Sequence, residues 1–360
     1  MQVTDWFAVN YADARERFCA AAAASGAQLM SFRNPTSGPD GGALYTDVAY
    51  LGNPQARSII LTCSGTHGVE GFCGSGAQVG TFRSGLLRDM PKDVALVAIH
   101  AINPHGFAWQ RRVTEENVDL NRNCLDHTQS HPKAENYSEI HRFLVPNEWT
   151  GPGREEADRA IDNFIQQRGI GAFQAAVTGG QYDYPDGMFF GGRAPTWGNR
   201  TLHKIIDRFL TGRKNIAFID YHTGLGPSGY GELICTHKSG TKAHARTKSW
   251  YGSVTLPDDG SSASAPIQGY IAMALERALP DVEWTSIALE YGTVPVPDVL
   301  QAVRADNWLH QHGDIHSALG VAIKGQIRNA FYVETPLWKQ QVWQRAAEIT
   351  GKAMQSIAHT

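Results

Sequence analysis

The chain has 360 residues, of which 42% are hydrophobic and 19% are charged, a composition typical of a globular protein with a substantial core. Thirty-two Lys and Arg stand against 35 Asp and Glu, so the net charge is −3. This balance argues against the basic surface that binds nucleic acid or an anionic membrane, and we expect neither partner. Composition leaves the oligomeric state open.

Cysteine usage and the N-terminus predict the compartment. The five cysteines are odd in number and scattered, with no CxxC pair, which is typical of free thiols rather than of a disulfide framework. The first residues, MQVTDWFAVNYADARERF, lack the basic start and apolar run of a signal peptide. The small apolar tract Ala20–Ala24 is too short to span a bilayer. We therefore expect a soluble, cytoplasmic protein.

Short apolar runs rich in β-branched residues alternate with helix-like stretches along the chain. In chain order we predict strand Ser58–Cys63, helix Val69–Leu87, strand Val94–Ile99, helix Glu155–Gln167, helix Asn199–Leu210, strand Ile216–Tyr221, strand Glu232–Thr236, helix Ile267–Leu279, strand Trp284–Glu290, helix Val299–His312 and helix Val342–Ile357. This alternation predicts an α/β fold with a mixed central β-sheet flanked by helices.

The chain shows no clean linker, so we predict a single domain over residues 1–360. Residues 126–199 are its least regular part, rich in Pro, Gly, Asn and His, and they end in QYDYPDGMFFGGRAPTWGN. Such an insertion forms either a surface excursion or the wall of a pocket. The sequence leaves both interpretations open.

The segment CSGTHGVEGFCGSG, residues 63–76, places His67 and Glu70 three residues apart after a predicted strand. Imidazole nitrogen and carboxylate oxygen are zinc ligands, and ligands of open α/β sheets gather beyond the carboxyl ends of the strands. An HxxE pair alone is a weak signal, because such pairs occur by chance on many helices. We expect the surrounding glycines to keep bulk away from the metal and from an approaching substrate.

A third metal ligand has to come from another strand end. His222 follows the strand Ile216–Tyr221 in IAFIDYHTGLG, close to Asp220, which either orients a ligand or forms a salt bridge elsewhere. His100 also ends a predicted strand, but it lacks the carboxylate and glycine context of His67 and His222. We interpret His100 as a core or supporting histidine and His222 as the third ligand.

Residues 102–123, INPHGFAWQRRVTEENVDLNRN, concentrate polar side chains just after the strand Val94–Ile99. The candidates in this segment are Arg111, Arg112, Asn121 and Arg122. Guanidinium groups bind carboxylates through two hydrogen bonds and stabilise oxyanions. An ordinary surface arginine is a reasonable interpretation of Arg111, but it suits Arg122 less well, because asparagines flank Arg122 in a tight DLNRN turn.

Glu290 ends the late apolar strand in IALEYGT. A carboxylate at a strand end opposite a metal is where a general base would act on water. Alone, a carboxylate at this position is more often structural, so its role depends on the other groups that meet it.

The joint order of these motifs resembles the zinc carboxypeptidase superfamily, which includes the succinylglutamate desuccinylase and aspartoacylase deacylases. HxxE, NPxGF…R…VDLNRN, a strand-end His and a strand-end Glu follow one another from about residue 57 to about residue 295. The segment YPDGMFFGG is similar to a bacterial carboxypeptidase-like branch of that superfamily. The resemblance implies a three-layer sandwich of the phosphorylase/hydrolase-like kind and one zinc ion.

The resemblance also implies a role for each matching residue. The metal ligands would be His67, Glu70 and His222. Arg112 falls on the arginine that polarises the scissile carbonyl, and Glu290 falls on the general base. The pair that holds the terminal carboxylate of the substrate would be Asn121 and Arg122.

Two features depart from the pattern of the superfamily. His105 stands where an acid is common in the NPDG motif, a change that we expect to affect only the turn. The tyrosine that closes over the substrate of digestive carboxypeptidases has no clear counterpart among Tyr182, Tyr184, Tyr230 and Tyr291. The substrate is therefore open.

The resemblance implies a zinc-dependent hydrolase that cleaves an amide bond, in a small peptide or an N-acyl amino acid, beside a carboxylate-bearing residue. One alternative is an N-acyl-amino-acid deacylase or amidase without peptide substrates, and another is a non-catalytic zinc-binding protein on the same scaffold. A dinucleotide site at Gly224–Gly229 (GLGPSG) is disfavoured because Pro227 intervenes and a strand follows. We interpret Cys63 and Cys73 as inert thiols.

Overall fold

A computed structural model describes residues 2–359 of the chain. Over these residues the centre is a seven-stranded sheet with the spatial order β1-β2-β4-β3-β5-β7-β6. Its strands are β1 (Gln28–Ser37), β2 (Ala43–Leu51), β3 (Ser58–Cys63), β4 (Val94–His100), β5 (Asn215–Ser228), β6 (Gly231–Cys235) and β7 (Glu283–Gly292). The four central strands β4, β3, β5 and β7 run parallel, whereas β1, β2 and β6 are antiparallel to their neighbours. The predicted mixed sheet is confirmed.

Helices cover both faces of this sheet. They are α1 (Tyr11–Ala24), α2 (Gly71–Arg83), α3 (Pro104–Ala108), α4 (Leu120–Asn123), α5 (Tyr137–Leu144), α6 (Pro152–Arg168), α7 (Ile170–Thr178), α8 (Trp197–Ile205), α9 (Lys242–Tyr251), α10 (Ile271–Ala278), α11 (Val296–His312), α12 (Ala318–Phe331) and α13 (Pro336–Ile357). None of the helices within residues 2–359 is both long and apolar enough to cross a membrane.

The central strands are rich in apolar residues because both of their faces are covered. All six residues of β3 are buried. Ile60 packs into one core with residues of α1, α2 and α13, whereas Ile59 and Leu61 pack into a second core with residues of α8 and α10. The result is a three-layer arrangement with the sheet in the middle, as the resemblance implied.

Every predicted strand and helix overlaps an observed element, and the bounds of β3 match the prediction. The prediction missed two strands, β1 and β2, and seven helices, α1, α3, α4, α5, α7, α9 and α12. β1 is an edge strand with mostly exposed side chains, so it lacks an apolar signal. β2 carries the buried Asp47, which pairs with Arg15 at 2.7 Å, and this polar residue interrupts the apolar pattern.

Residues 126–199 contain more regular structure than the sequence suggested. Helices α5, α6 and α7 lie within this insertion, and they form a third hydrophobic core with α11 and α12. Phe164 and Phe173 contribute from the insertion, and Val299 and Ile327 contribute from the two later helices. The insertion is therefore packed against the body of the protein by its own apolar side chains.

The glycines around His67 and Glu70 serve close packing. A Cβ on Gly68 would lie 2.0 Å from the carbonyl carbon of Gly106, and one on Gly71 would lie 2.5 Å from the Phe107 ring. A Cβ on Gly76 would lie 2.4 Å from the ring of Phe7. The expectation that these glycines leave space for metal and substrate is wrong. They allow the turn at residues 68–71 and helix α2 to approach neighbouring chain segments.

We predict that Gly68→Ala lowers the free energy of unfolding by roughly 3 kcal/mol, because backbone on both sides would have to move. Urea unfolding followed by circular dichroism measures the change. Gly325→Ala is the matched control, since Gly325 lies in α12 with open space around its Cβ position, and it should be stabilised by up to about 1 kcal/mol. Equal stability of Gly68→Ala and the wild type would contradict this packing account.

Candidate metal centre

The site lies at the carboxyl edge of three neighbouring parallel strands. In register, Cys63 of β3 is opposite Asp220 of β5, and His222 of β5 is opposite Glu290 of β7. Residues opposite each other in neighbouring strands point to the same side of a sheet, so His222 and Glu290 share one face. After β3 the chain turns through a short 3₁₀ turn at Gly68–Glu70, which brings Glu70 to the same place.

The Glu70 carboxylate lies between two imidazole rings. Its Oε1 is 2.7 Å from Nδ1 of His67, and its Oε2 is 2.9 Å from Nδ1 of His222. The backbone N–H of Thr223 also donates to Oε2, at 3.1 Å. One ligand atom from each of His67, Glu70 and His222 lies within 4.8 Å of the others, and all three residues are buried. These three side chains could hold a metal ion.

A carboxylate stands beside the far nitrogen of each histidine. Nε2 of His67 is 3.2 Å from Asp119 Oδ1, and Nε2 of His222 is 2.9 Å from Asp220 Oδ2. Asp220 also accepts a hydrogen bond from the Thr66 hydroxyl at 2.8 Å. At His222, the Asp220 carboxylate next to Nε2 favours the proton there and leaves the lone pair of Nδ1 free for a metal. The donor set therefore fits a divalent ion that prefers nitrogen and oxygen ligands.

Sequence reasoning considered Asp220 but missed Asp119. Asp119 caps helix α4, where its side chain accepts from the backbone N–H of Asn121, and it is fully buried. The signal was available, since an acid stands two residues before Asn121 in VDLNRN. Its contact with His67 depends on chain segments that are far apart in sequence, which a local pattern does not reveal.

The buried charges of the site hold one another in their ionised forms. Burial would raise the pKa of Glu70, but His67 and His222 overcome this effect and hold the pKa well below its ordinary value. Burial also opposes ionisation of Asp119, and Arg112 and Arg122 depress its pKa in turn. Two anionic carboxylates thus lie within the protein interior, and each requires cationic or N–H partners.

Arg112 is part of this cluster. Its Nε donates to Asp119 Oδ2 at 3.0 Å, and its Nη1 donates to Glu70 Oε1 at 3.4 Å. Its Nη2 lies 2.7 Å from Nε2 of His67. The backbone carbonyl of Arg112 accepts from the N–H of Gly68, which ties this arginine to the turn between two of the candidate ligands.

Asn121 lies at the site, whereas Arg122 is buried under another chain segment. Asn121 Nδ2 is 3.4 Å from Nε2 of His222, and its Oδ1 accepts from the backbone N–H of Ile271 at 3.1 Å. Arg122 is only 3% exposed. Its Nη1 and Nη2 donate to the carbonyls of Asn121 and Thr178 at 3.1 and 2.5 Å. A segment of the insertion therefore lies over the Arg122 guanidinium.

Glu290 completes the group of polar strand ends. It is 7% exposed, and its Oε1 accepts from the backbone N–H of Leu225 at 3.0 Å. Burial, with a contribution from the negative charge of Glu70, raises the pKa of Glu290 to about 8. A divalent cation beside it would counter this increase.

The competing histidine belongs to the core. Nε2 of His100 is 3.0 Å from the Ser75 hydroxyl, and its ring stacks on Phe18 with 4.5 Å between ring centroids. Burial lowers the pKa of His100 to about 4, so it is neutral at ordinary pH. The interpretation of His100 as a core histidine is confirmed.

None of the four tyrosine candidates forms a hydrogen bond with a metal-ligand candidate within residues 2–359. Tyr182 donates its hydroxyl proton to the carbonyl of Arg122 at 2.7 Å, and Tyr291 donates to the carbonyl of Val342. Tyr184 stacks on His141, and Tyr230 is 57% exposed. Of these four, Tyr182 alone contacts one of the predicted site residues through a hydrogen bond within residues 2–359.

The glycine-rich segment GLGPSG and the cysteines near His67 have structural roles. GLGPSG continues β5 up to Ser228, so no helix begins inside it, which agrees with the low expectation of a dinucleotide site. The cysteines are free, and burial raises the pKa of both Cys63 and Cys73. Neither thiol is suited to act as a nucleophile.

Solved structures similar to the chain include a thrombin activatable fibrinolysis inhibitor, with 11% identity, a TM-score of 0.46, and coverage of 98% of this chain and 74% of that one. A carboxypeptidase A from Helicoverpa armigera has 11% identity, a TM-score of 0.41, and coverage of 89% and 73%. An aspartoacylase family protein from Mesorhizobium loti has 12% identity, a TM-score of 0.37, and coverage of 81% and 68%. A carboxypeptidase and an aspartoacylase family protein are thus among the matches, in agreement with the predicted resemblance. At these TM-scores they carry no argument about activity.

Among curated proteins none matches the chain. A family model described as "Protein of unknown function (DUF2817)" matches residues 7–345, which is nearly the whole sequence. The match spans the candidate metal ligands, the segment with the two arginines, and Glu290. The chain therefore belongs to the DUF2817 family.

Proposed function

We propose that this protein is a zinc-dependent hydrolase that cleaves an amide bond, in a small peptide or an N-acyl amino acid, beside a carboxylate-bearing residue. The observation that supports this proposal is the convergence of His67, Glu70 and His222, with Glu290 in register next to His222. A protein that only binds a metal has no need for a second buried carboxylate at that position. Glu290 therefore favours catalysis over binding alone.

In this proposal His67, His222 and Glu70 would hold one zinc ion. When bound, the ion supplies a Lewis acid that acidifies water and polarises a carbonyl group. Glu290 takes a proton from the attacking water and returns it to the leaving amine. The pKa of Glu290 is lowered by the bound cation from its raised metal-free value, which favours the ionised form that can accept a proton.

In this proposal the arginines bind the negatively charged groups of the reaction. Arg112, which lies in the same cluster as Glu70 and His67, stabilises the oxyanion that forms on the attacked carbonyl. Arg122 and Asn121 hold the carboxylate of the substrate. The side chain of Arg122 is 4% exposed and that of Arg112 is 13% exposed. In this conformation Arg112 is therefore the more accessible of the two to the carboxylate of a substrate.

The proposal extends to the remaining predictions from the sequence. We propose a single domain and a cytoplasmic location, and the five free cysteines support a reducing compartment. The runner-up activity is deacylation of N-acyl amino acids without any action on peptides. Substrates separate the two, since a carboxypeptidase hydrolyses peptides with a free C-terminus and fails on C-terminally blocked ones, whereas the deacylase hydrolyses only N-acyl amino acids with a free carboxylate.

We expect the purified protein to contain one zinc ion per chain and to hydrolyse members of a panel of peptides and N-acyl amino acids. A chelator should abolish this hydrolysis, and zinc should restore it. His67→Ala should lose both zinc and hydrolysis, because two protein ligands are too few to retain the ion. Metal analysis by mass spectrometry and an amine-release assay measure the two effects.

His316→Ala is the control for the zinc experiment, since His316 is exposed and lies outside the site. It should retain the metal and the activity of the wild type. A wild-type protein that contains no zinc and takes up none, with His67→Ala behaving identically, would overturn the site assignment.

Glu290→Gln should keep zinc while kcat falls by roughly two to four orders of magnitude, because glutamine cannot accept a proton. Glu283→Gln is the matched control on the same strand, where Glu283 is exposed at the opposite end of β7. Steady-state kinetics on the best substrate of the panel, with metal content determined in parallel, measure the effect. Full activity in Glu290→Gln would exclude the proposed base.

Asp220→Asn should weaken zinc affinity by about 10–100-fold without unfolding the protein, because Asp220 supports the His222 ring through Nε2. A competition titration with a fluorescent zinc chelator measures the affinity. Asp207→Asn, at an exposed position, serves as the control and should leave the affinity unchanged. An unchanged zinc affinity in Asp220→Asn would show that the Asp220 contact plays no part in metal binding.

A further inference from the structure

One aromatic ring lies against both arginines of the site. The ring centroid of Phe189 is 5.0 Å from Cζ of Arg112 and 5.8 Å from Cζ of Arg122. Phe189 is 6% exposed, so water has little access to these contacts. The attraction between a guanidinium group and an aromatic face grows when both are removed from water. A single side chain of the insertion thus contacts the two cationic groups that the proposed reaction uses.

The charges around this ring are unbalanced. Asp119 stands between the arginines, with its Oδ2 at 3.0 Å from Arg112 Nε and at 4.0 Å from Arg122 Nη1. Glu70 is also 3.4 Å from Arg112, but its carboxylate belongs to the candidate metal ligands. Once Glu70 serves a metal ion, one carboxylate is left to compensate two guanidinium groups. The excess positive charge is suited to a further anion.

The backbone at Phe189 is held in an unfavourable conformation. Its φ of +53° lies in the left-handed region, which costs a residue with a Cβ on the order of 1–2 kcal/mol. Such a conformation persists only where the surroundings impose it. Here the N–H of Gln181 donates to the Phe189 carbonyl at 3.2 Å, and the N–H of Asp119 donates to the Phe190 carbonyl at 2.7 Å.

These hydrogen bonds fix the ring over the arginines. Gln181 is fully buried, and its side chain accepts from the N–H groups of Asp183 and Tyr184 at 3.0 and 2.8 Å. From the opposite side, Asn117 donates to the carbonyl of Gly187 at 3.2 Å. Hydrogen bonds therefore connect residues 181–190 to one another and to the segment that carries Asp119. The strain at Phe189 follows from this arrangement.

We propose that Phe189 is a positioning residue that gives the site its preference for substrates with a carboxylate. Its ring keeps water off the flat faces of the Arg112 and Arg122 guanidinium groups and holds Arg112, the more exposed of the two, in place for the anion. The identity of the substrate rests on the function proposed above, whereas the preference for an anion rests on the arginines, Asp119 and Phe189.

The test compares Phe189→Leu with the wild type, both loaded with zinc. The probes are N-acetylglycine and N-acetylglycinamide, which differ only in the carboxylate, and calorimetric titration measures their binding. We expect the wild type to bind the acid more tightly than the amide. Phe189→Leu should bind the acid about tenfold more weakly and leave the amide unchanged, because it loses the contacts with the arginines.

Phe173→Leu is the matched control. Phe173 is a buried ring of the same hydrophobic core as Phe189. Among residues 2–359, no guanidinium group lies as close to the Phe173 ring as Arg112 and Arg122 lie to the Phe189 ring. It should keep the preference for the acid. Phe189→Tyr retains the ring and should also keep the preference. Phe189→Met, a second ring-free variant, repeats the test if Phe189→Leu unfolds.

Equal losses for acid and amide in Phe189→Leu, or the same loss in Phe173→Leu, would reduce Phe189 to core packing and overturn the proposal. An unchanged preference in both ring-free variants would do the same. If the wild type hydrolyses no member of the substrate panel, but its preference for N-acetylglycine disappears in Phe189→Leu, the proposed hydrolysis fails and this inference stands. If the enzyme is active, kcat/KM for the acid substrate divided by kcat/KM for the amide substrate should fall in Phe189→Leu. The factor should equal the fall in the ratio of the two binding affinities.

Discussion

The burial of the Glu70 carboxylate is the constraint on which the rest of the site depends. The side chain is 1% exposed, and an ionised carboxylate in such a place is costly by several kcal/mol unless charges and N–H groups surround it. Two imidazoles, the N–H of Thr223 and the guanidinium of Arg112 supply this environment. The site is therefore stable only if three separate chain segments meet at one point, and the packing around it has to be close enough to bring them there.

The order of the parallel strands is what brings the segments together. β3, β5 and β7 are neighbours, so the residues that follow their apolar interiors lie at one edge of the sheet. The register of β5 and β7 then sets His222 beside Glu290, and the tight approach of Gly68 to Gly106 lets the turn after β3 carry Glu70 inward. The fold supplies the positions, while the polar residues at the strand ends supply the chemistry.

This division explains what could be predicted from the sequence. Strands that are buried on both faces carry runs of apolar residues, so β3, β5 and β7 and the polar residues at their ends are visible in a local pattern. Edge strand β1 has exposed side chains and no such pattern. Asp119 and Phe189 were missed for a different reason, since their roles come from contacts with residues that are tens of positions away. The glycines were misinterpreted because the sequence does not show which segments they touch.

The two halves of the site are built from different parts of the protein. The candidate metal ligands lie at the ends of sheet strands, which are held by both principal cores, whereas Thr178 and Phe189, which cover the arginines, belong to the insertion. The insertion is held in turn by α11, where Asn307 donates to the carbonyl of Asp186 at 2.8 Å. A change in the insertion can therefore alter which substrate reaches the arginines without disturbing the ligands. It follows that the chemistry of this protein is easier to infer from its sequence than the substrate is, because the ligands follow the sheet and the specificity follows the insertion.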